Sequence, residues 1–411
     1  DKNGSLEAVG GFKGAGIGSA GSNDAQVKIT GGNITATSDD WGAGIGSGSY
    51  GTGTVEITGG EINATGGYLG AGIGGGCNGS GNVTISGGTI TEASGGYMAA
   101  GIGSGYQGLG TVTIEGDAVI KNAQGGEAGA GIGSGTYGDS EIIIRGDAVI
   151  ENAESSANGA GIGSGQGDLY PDGDGMVIDL TVGNVTIEGN ARIENAKSGS
   201  GGSGIGGGAV GIGNVIIRGN AQIGNATGGD EGAGIGGGVL GTGDVTIEGN
   251  VTIENAQGGA GAAGIGGGAE TQPDTEDTRN KVSIKSTEAG SPNITAKGGG
   301  VLNGGGVLDE NAPLAGAAAI GSGSVADGAT EVKSDITIEG KVTIDATGGG
   351  DVAIGDSTNG ETQFSGLQVG TTITRRNAKG DDVSQPGDVV REPEKPAQPT
   401  VTPTEGAEAP S

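Results

Sequence analysis

An all-β fold is predicted for this chain: a right-handed parallel β-helix, a solenoid of about eleven coils, with a disordered C-terminal tail. Three observations predict it. A tetrapeptide centred on isoleucine recurs at Ile17, Ile45, Ile73, Ile102, Ile132, Ile162, Ile205, Ile235 and Ile265, with degenerate copies at Ile320 and Ile354; the steps are 28, 28, 29, 30, 30, 43, 30, 30, 55 and 34 residues. A near-constant period of this size marks repeats that bury their apolar faces only against their neighbours. Within each period the apolar residues alternate with period two, as strands require. No segment shows helical spacing with helix caps, so helix-pair and leucine-rich repeats fit poorly. The right hand follows from the general preference of parallel crossovers. Eleven coils at the ~4.8 Å strand spacing make a rod about 50 Å long.

Each coil reads as three short strands. Val55-Glu56-Ile57 is the first, Gly59-Gly60 turns the chain, Ile62-Asn63-Ala64 is the second, and Gly70-Ala71-Gly72-Ile73-Gly74 is the third. The first run returns as Val83/Ile85, Val112/Ile114, Ile142/Ile144, Val185/Ile187, Val215/Ile217, Val245/Ile247, Val282/Ile284 and Ile336/Ile338. Stacked Val, Ile and Ala columns explain how 32% apolar residues suffice with 2% aromatics. Asn122, Asn152, Asn195, Asn225 and Asn255 share one context, Ile-x-Asn-Ala, and are expected to form an asparagine ladder from coil to coil. Asp117, Asp147, Asn190, Asn220 and Asn250 follow a turn glycine and suit a left-handed or Asx-type turn. The repeat domain is assigned to 1–384, with loop insertions near 166–183 and 269–315, and 385–411 to a proline-rich linker. Six of the ten prolines, from Pro386 to Pro410, fall in that linker, whose composition leaves nothing to bury.

Composition excludes much. The chain has 411 residues, 103 of them glycine, one cysteine and no histidine, with 19 basic against 49 acidic side chains and a net charge of -30. Such a balance argues against nucleic acid and anionic membranes as partners. No apolar run of about 18 residues exists for direct membrane insertion, and Asp1-Lys2-Asn3-Gly4-Ser5 lacks a signal-peptide core; the sequence reads as a mature or excised piece that continues beyond Ser411. Without histidine, Ser-His-Asp and Cys-His devices are impossible, and Cys77 alone makes neither an internal disulfide nor a zinc site. The chain is therefore read as a non-enzyme.

Gly70-Ala71-Gly72-Ile73-Gly74-Gly75-Gly76, paired with Val83-Thr84-Ile85-Ser86-Gly87-Gly88-Thr89-Ile90, resembles glycine-rich repeat regions of large surface proteins of Firmicutes, especially gut anaerobes. The resemblance covers roughly residues 10–355. It implies a pectate-lyase-like right-handed β-helix, secreted and displayed on the Gram-positive cell wall as part of a larger protein, in a group often described as carbohydrate-binding or adhesive. It says little about any ligand.

The glycine string is not a phosphate loop, because it recurs in nearly every coil with no helix behind it. It reads as a strand with Ala15 and Ile17 inward and glycines outward, so stacked coils should present a flat face almost free of side chains. Phe12, Trp41, Tyr68 and Tyr97 fall four or five residues before a central isoleucine, and Tyr50, Tyr106 and Tyr137 four or five after one. Two aromatic columns flanking a glycine face would suit the apolar faces of sugars; the alternative is that the rings cover turns and shield the small core. Asp168, Asp172 and Asp174 offer hard oxygen ligands for Ca²⁺, though not at EF-hand spacing, and a solvated loop is the competing reading. Arg145 and Arg218 share a column with Glu115, Glu188 and Glu248, an arrangement for cross-coil ion pairs. The Arg145-Gly146-Asp147 tripeptide is a by-product of the repeat. The leading functional expectation is a non-catalytic adhesion or binding module for polysaccharide or host glycan. The alternatives are a structural spacer of a large surface protein and, behind it, a Ca²⁺-dependent polysaccharide lyase. Ice binding lacks the threonine array it would need.

Overall fold

The computed structural model describes residues 4–172, 175–269, 279–300, 316–324, 333–356 and 362–390. Among these, every regular element is a strand, and the strands build a parallel solenoid of about eleven turns. A 21-stranded parallel sheet collects the first and second runs of the coils, and an 11-stranded parallel sheet collects the Ile-Gly pairs, from Ile17–Gly18 to Ile354–Gly355. Like residues stack on like: Ile57 lies beside Ile85, Ile85 beside Ile114, and Ile73 beside Ile102. The Val, Ile and Ala columns are almost wholly buried and form one continuous core. At about 1.5–3 kcal/mol per fully buried aliphatic side chain, these columns are the main source of cohesion.

The period of 28, then 29, then 30 residues has a structural explanation. In the first full coils the two runs are single long strands, Ala25–Ser38, Gly53–Thr65 and Gly81–Ser94, bent at glycine corners. Gly32, Gly60 and Gly88 take φ of 95°, 106° and 85° there, a region that favours residues without Cβ. The first added residue appears in the second run: Asn63 alone separates Ile62 from Ala64, whereas Thr91 and Glu92 separate Ile90 from Ala93, and the register shifts at that point. The second is added at the corner, where Ala118 enters between Ile114 and Ile120 and is fully buried. From there the long strand breaks in two, Gly110–Ile114 and Val119–Ile120 being the first such pair. The first and second runs are therefore separate strands from the fourth coil onward, and one bent strand in the full coils before it.

Both added residues recur, and both feed ladders. Asn195 donates to Asn152 (3.1 Å), Asn225 to Asn195 (3.0 Å) and Asn255 to Asn225 (3.3 Å), whereas Asn122, expected to belong to the ladder, stands apart: it donates to Glu92 (2.6 Å), and Asn152 donates to the Lys121 carbonyl (3.1 Å) instead. At the corner Asn190 donates to Asp147 (2.9 Å), Asn220 to Asn190 (3.1 Å) and Asn250 to Asn220 (3.2 Å). The left-handed residue of this corner is not the Asp or Asn but the glycine before it, with φ of 66° at Gly116 and 76° at Gly146. The mixed-sign column pairs as expected: Arg145 reaches Glu115 at 2.5 Å and Arg218 reaches Glu188 at 2.6 Å.

The two insertions take different forms. The projecting loop near 166–183 is an antiparallel hairpin, Asp168–Asp172 with Gly175–Asp179. In the 55-residue step, Asn280–Lys285 and Asn293–Lys297 form a proper coil between the neighbours on either side; residues 270–278 and 301–315 of that step lie outside the described residues.

The boundary drawn between 384 and 385 also moves. Arg375 occupies the position of the inward alanine column, next to Ala346, and is 2% exposed. Its guanidinium pairs with Asp388, itself 1% exposed, through Nε to Oδ2 (3.0 Å) and Nη2 to Oδ1 (3.1 Å). Ile373 donates to the carbonyl of Asp388 and Val390 to that of Thr371, so residues 385–390 lie antiparallel on the last strand instead of in a linker. Residues 391–411 of the expected linker lie outside the described residues.

Candidate binding surface

The side of the rod opposite the large sheet is built by the turns before and after each Ile-Gly pair. These turns bond to each other across coils: Cys77 N–H donates to the Trp41 carbonyl (2.7 Å), Tyr106 N–H to that of Leu69 (3.1 Å) and Thr136 N–H to that of Met98 (2.9 Å). The two turns thus meet and close over the strand between them. This overturns the expected glycine face. Ala43 through Ser49, Ala71 through Cys77 and Ala99 through Gly105 are all buried. A methyl on Gly44 would sit 2.7 Å from the backbone nitrogen of Thr65, and one on Gly46 would collide with the Gly74 carbonyl of the next coil. The glycines are needed for close approach of backbone to backbone, not for a platform.

In four successive coils the residue five after the isoleucine takes the left-handed region, Tyr50 at φ 67°, Asn78 at 54°, Gln107 at 58° and Tyr137 at 59°, and these side chains stand exposed or half-buried along one column; Val210 shares the conformation with its side chain buried. Tyr106, counted with Tyr50 and Tyr137 in the sequence, is one position earlier and lies partly buried in the column of Ser49, Cys77 and Thr136. On the other turn Phe12, Tyr68 and Tyr97 share a column. Trp41 does not share it, because Asp40 stands at that position in its coil and Trp41 is level with Lys13, Leu69 and Met98.

The seven rings therefore form a single belt, mostly in pairs. Phe12 and Trp41 are 6.4 Å apart and tilted, Tyr68 and Tyr97 are 5.5 Å apart and stacked with an interplanar angle of 1°, and Tyr106 meets Tyr137 edge-on at 5.7 Å. The Lys13 ammonium lies 4.8 Å from the Trp41 ring centre and 5.3 Å from that of Phe12. Phe12, Tyr68, Tyr50 and Tyr97 are 78, 57, 55 and 40% exposed, far too open to be shielding the core. Glu127 follows Tyr97 in the column, and its charge, then its hydrogen bond, push the Tyr97 phenol above its ordinary value. Burial first, then the charge of Asp168, raise the Tyr137 phenol, which is hydrogen-bonded to Asp168. Burial also raises the Cys77 thiol, making it a poor nucleophile.

Of the carboxylates picked out for Ca²⁺, Asp168 stands at the base of the hairpin opposite Asp179, and the backbone of Asp172 at its tip opposite Gly175; the side chain of Asp172 lies outside what is described. Asp174 lies outside the described residues, and among those described no three His, Cys, Asp or Glu side chains cluster as a metal site would.

Two polar features escaped sequence reasoning. Ser47, Ser104 and Ser134 are buried, each hydroxyl donating to the carbonyl four residues on, Gly51, Gly108 and Gly138, and accepting from a glycine N–H of the next coil; the recurring Ile-Gly-Ser was the available signal. The Arg375–Asp388 pair had none, since neither residue repeats.

A β-helix repeat family model matches residues 27–49, 55–77 and 83–106, the very coils that carry the long strands and most of the belt. No curated protein and no solved structure matches the chain.

Proposed function

We propose that this β-helix repeat protein is a non-catalytic module of a larger, extracellular surface-displayed protein, and that its aromatic belt holds polysaccharide or host glycan. One observation carries the reading: Phe12, Tyr50, Tyr68 and Tyr97 are exposed on neighbouring coils along one side of the rod, where they cover no core. Aromatic rings offer sugars a large contact area at low entropic cost. The stacked tyrosine pair turns one face of each ring on the other, so the rims and the outer faces of the pair are what a glycan meets. No cation is needed.

A glycan array on the recombinant chain tests this. Replacing Tyr68 and Tyr97 together by Ala should weaken binding by about thirtyfold, taking ~1 kcal/mol per ring, with the melting temperature almost unchanged. Unaltered affinity for every glycan bound by the wild type would remove the belt from the account. The spacer reading is favoured by a different observation, the unbroken core column closed at its end by Arg375 and Asp388; it requires that the wild type bind no glycan at all.

A further inference from the structure

The two long sides of the rod differ in charge. Between Ser38 and Ala269 the chain holds only five basic side chains, Lys121, Arg145, Arg192, Lys197 and Arg218, and every one lies on the large sheet or beside its strands. Arg145, Arg192 and Arg218 are already paired there with Glu115, Glu194 and Glu188. The turns that build the belt carry no Lys or Arg over that whole length, whereas Asp39, Asp40, Glu127, Asp139, Asp168 and Asp230 all stand in them or at their edge. Lys13 is the belt's one cation at its N-terminal end, and it is set against the Phe12 and Trp41 rings.

We propose that the belt accepts polysaccharides that carry no carboxylate or sulfate groups and rejects polyanionic ones. This rests on the glycan reading above and narrows its substrate class. A sugar polymer with one acid per residue would place a charge every few ångströms along a surface whose one cation, Lys13, stands at its N-terminal end against two rings. A chain on a net charge of -30 feels that repulsion before contact as well as on it. An uncharged chain meets only ring edges, ring faces and hydrogen-bond acceptors. The raised Tyr97 phenol beside Glu127 registers the same negative potential from within the belt.

The test measures binding of the full chain to an uncharged β-glucan, to polygalacturonate and to heparin, at low and at high ionic strength. The expected result is binding of the β-glucan with little salt dependence. The two polyanions should bind at least about tenfold more weakly at low salt, the gap narrowing as salt screens the repulsion. Glu127→Lys, at an exposed position, should raise polygalacturonate binding at low salt several-fold. Equal or tighter binding of the polyanions, or a gap that salt and Glu127→Lys leave unchanged, overturns the charge selection while the glycan reading stands. Binding of none of the three, followed by a blank array, removes the glycan reading and the selection with it.

Discussion

The coils from Ala25 to Ser94 and those from Gly110 to Gln257 share one core column but turn the same corner in two ways. The former bend a continuous strand at a pair of glycines; the latter break it, insert a buried Ala or Val, and string amides from coil to coil on both sides of the break. The added residues explain the longer period; each later coil gains a buried methyl-bearing side chain at the corner, and from Asn190 onward amides bond from coil to coil on both sides of the break. The glycine-cornered coils lack the buried corner residue, and most of the exposed rings of the belt stand on them or beside them. Cohesion and an outward-facing aromatic surface are thus concentrated in different parts of one rod.

The largest test asks whether the shared column is truly shared. Ile57→Ala and Ile217→Ala, one in each kind of coil and both fully buried, should each cost about 3 kcal/mol, read by amide exchange around the mutated coil. Costs differing by more than about half of that would mean the two regions pack differently at the core as well as at the corner. Next, Ala148→Gly removes a corner methyl that the glycine-cornered coils never had; lost burial and added backbone freedom together make about 1.5 kcal/mol. A loss near zero would make the inserted residue a mere spacer. Asn195→Ala cuts the inner ladder in the middle and takes the partner from both Asn152 and Asn225, for about 1 kcal/mol in this half-buried position. Faster exchange in the flanking coils is the measurement.

The smallest effect is a titration in the earlier coils. The Tyr97 phenol is raised above 10.0 by Glu127, so the folded state holds its proton more tightly than the unfolded chain does. The stability this contributes is complete below the ordinary tyrosine range and is lost as pH rises through the raised value. Ultraviolet titration should show the Tyr97, Tyr106 and Tyr137 phenols ionising late, and Glu127→Gln should bring only Tyr97 back toward the ordinary value; an unmoved midpoint would detach Glu127 from the ring.

The core was legible because a stacked column repeats its residue type, so Ile73, Ile102 and Ile132 announce one another across the period. The asparagine ladder was legible for the same reason. The glycine strand was misread because alternation assigns a strand one inner and one outer face, and nothing in Gly44 or Gly72 reveals that two turns close over the outer one. Trp41 was placed in the wrong column because counting from Ile45 crosses a turn, where one residue more or less moves a side chain sideways without disturbing the coil. Arg375 was invisible because an ion in an apolar column becomes tolerable only with Asp388, thirteen residues later, and no sequence period links the two.

Every coil offers the next the same arrangement of backbone donors and acceptors that it received from the one before: Gly46 meets the Gly74 carbonyl as Gly74 meets that of Gly103. Along the Ile-Gly sheet the joint between neighbours is therefore independent of which neighbours they are. Whole coils are interchangeable graduations on a ruler, and gene segments of thirty codons could be gained or lost with the length changing in increments of about 4.8 Å and every remaining joint intact. A longer insertion short of a whole coil is expelled sideways, as the hairpin at Asp168–Asp179 is, leaving the count of graduations as it was, whereas single added residues such as Ala118 are taken up within the coil.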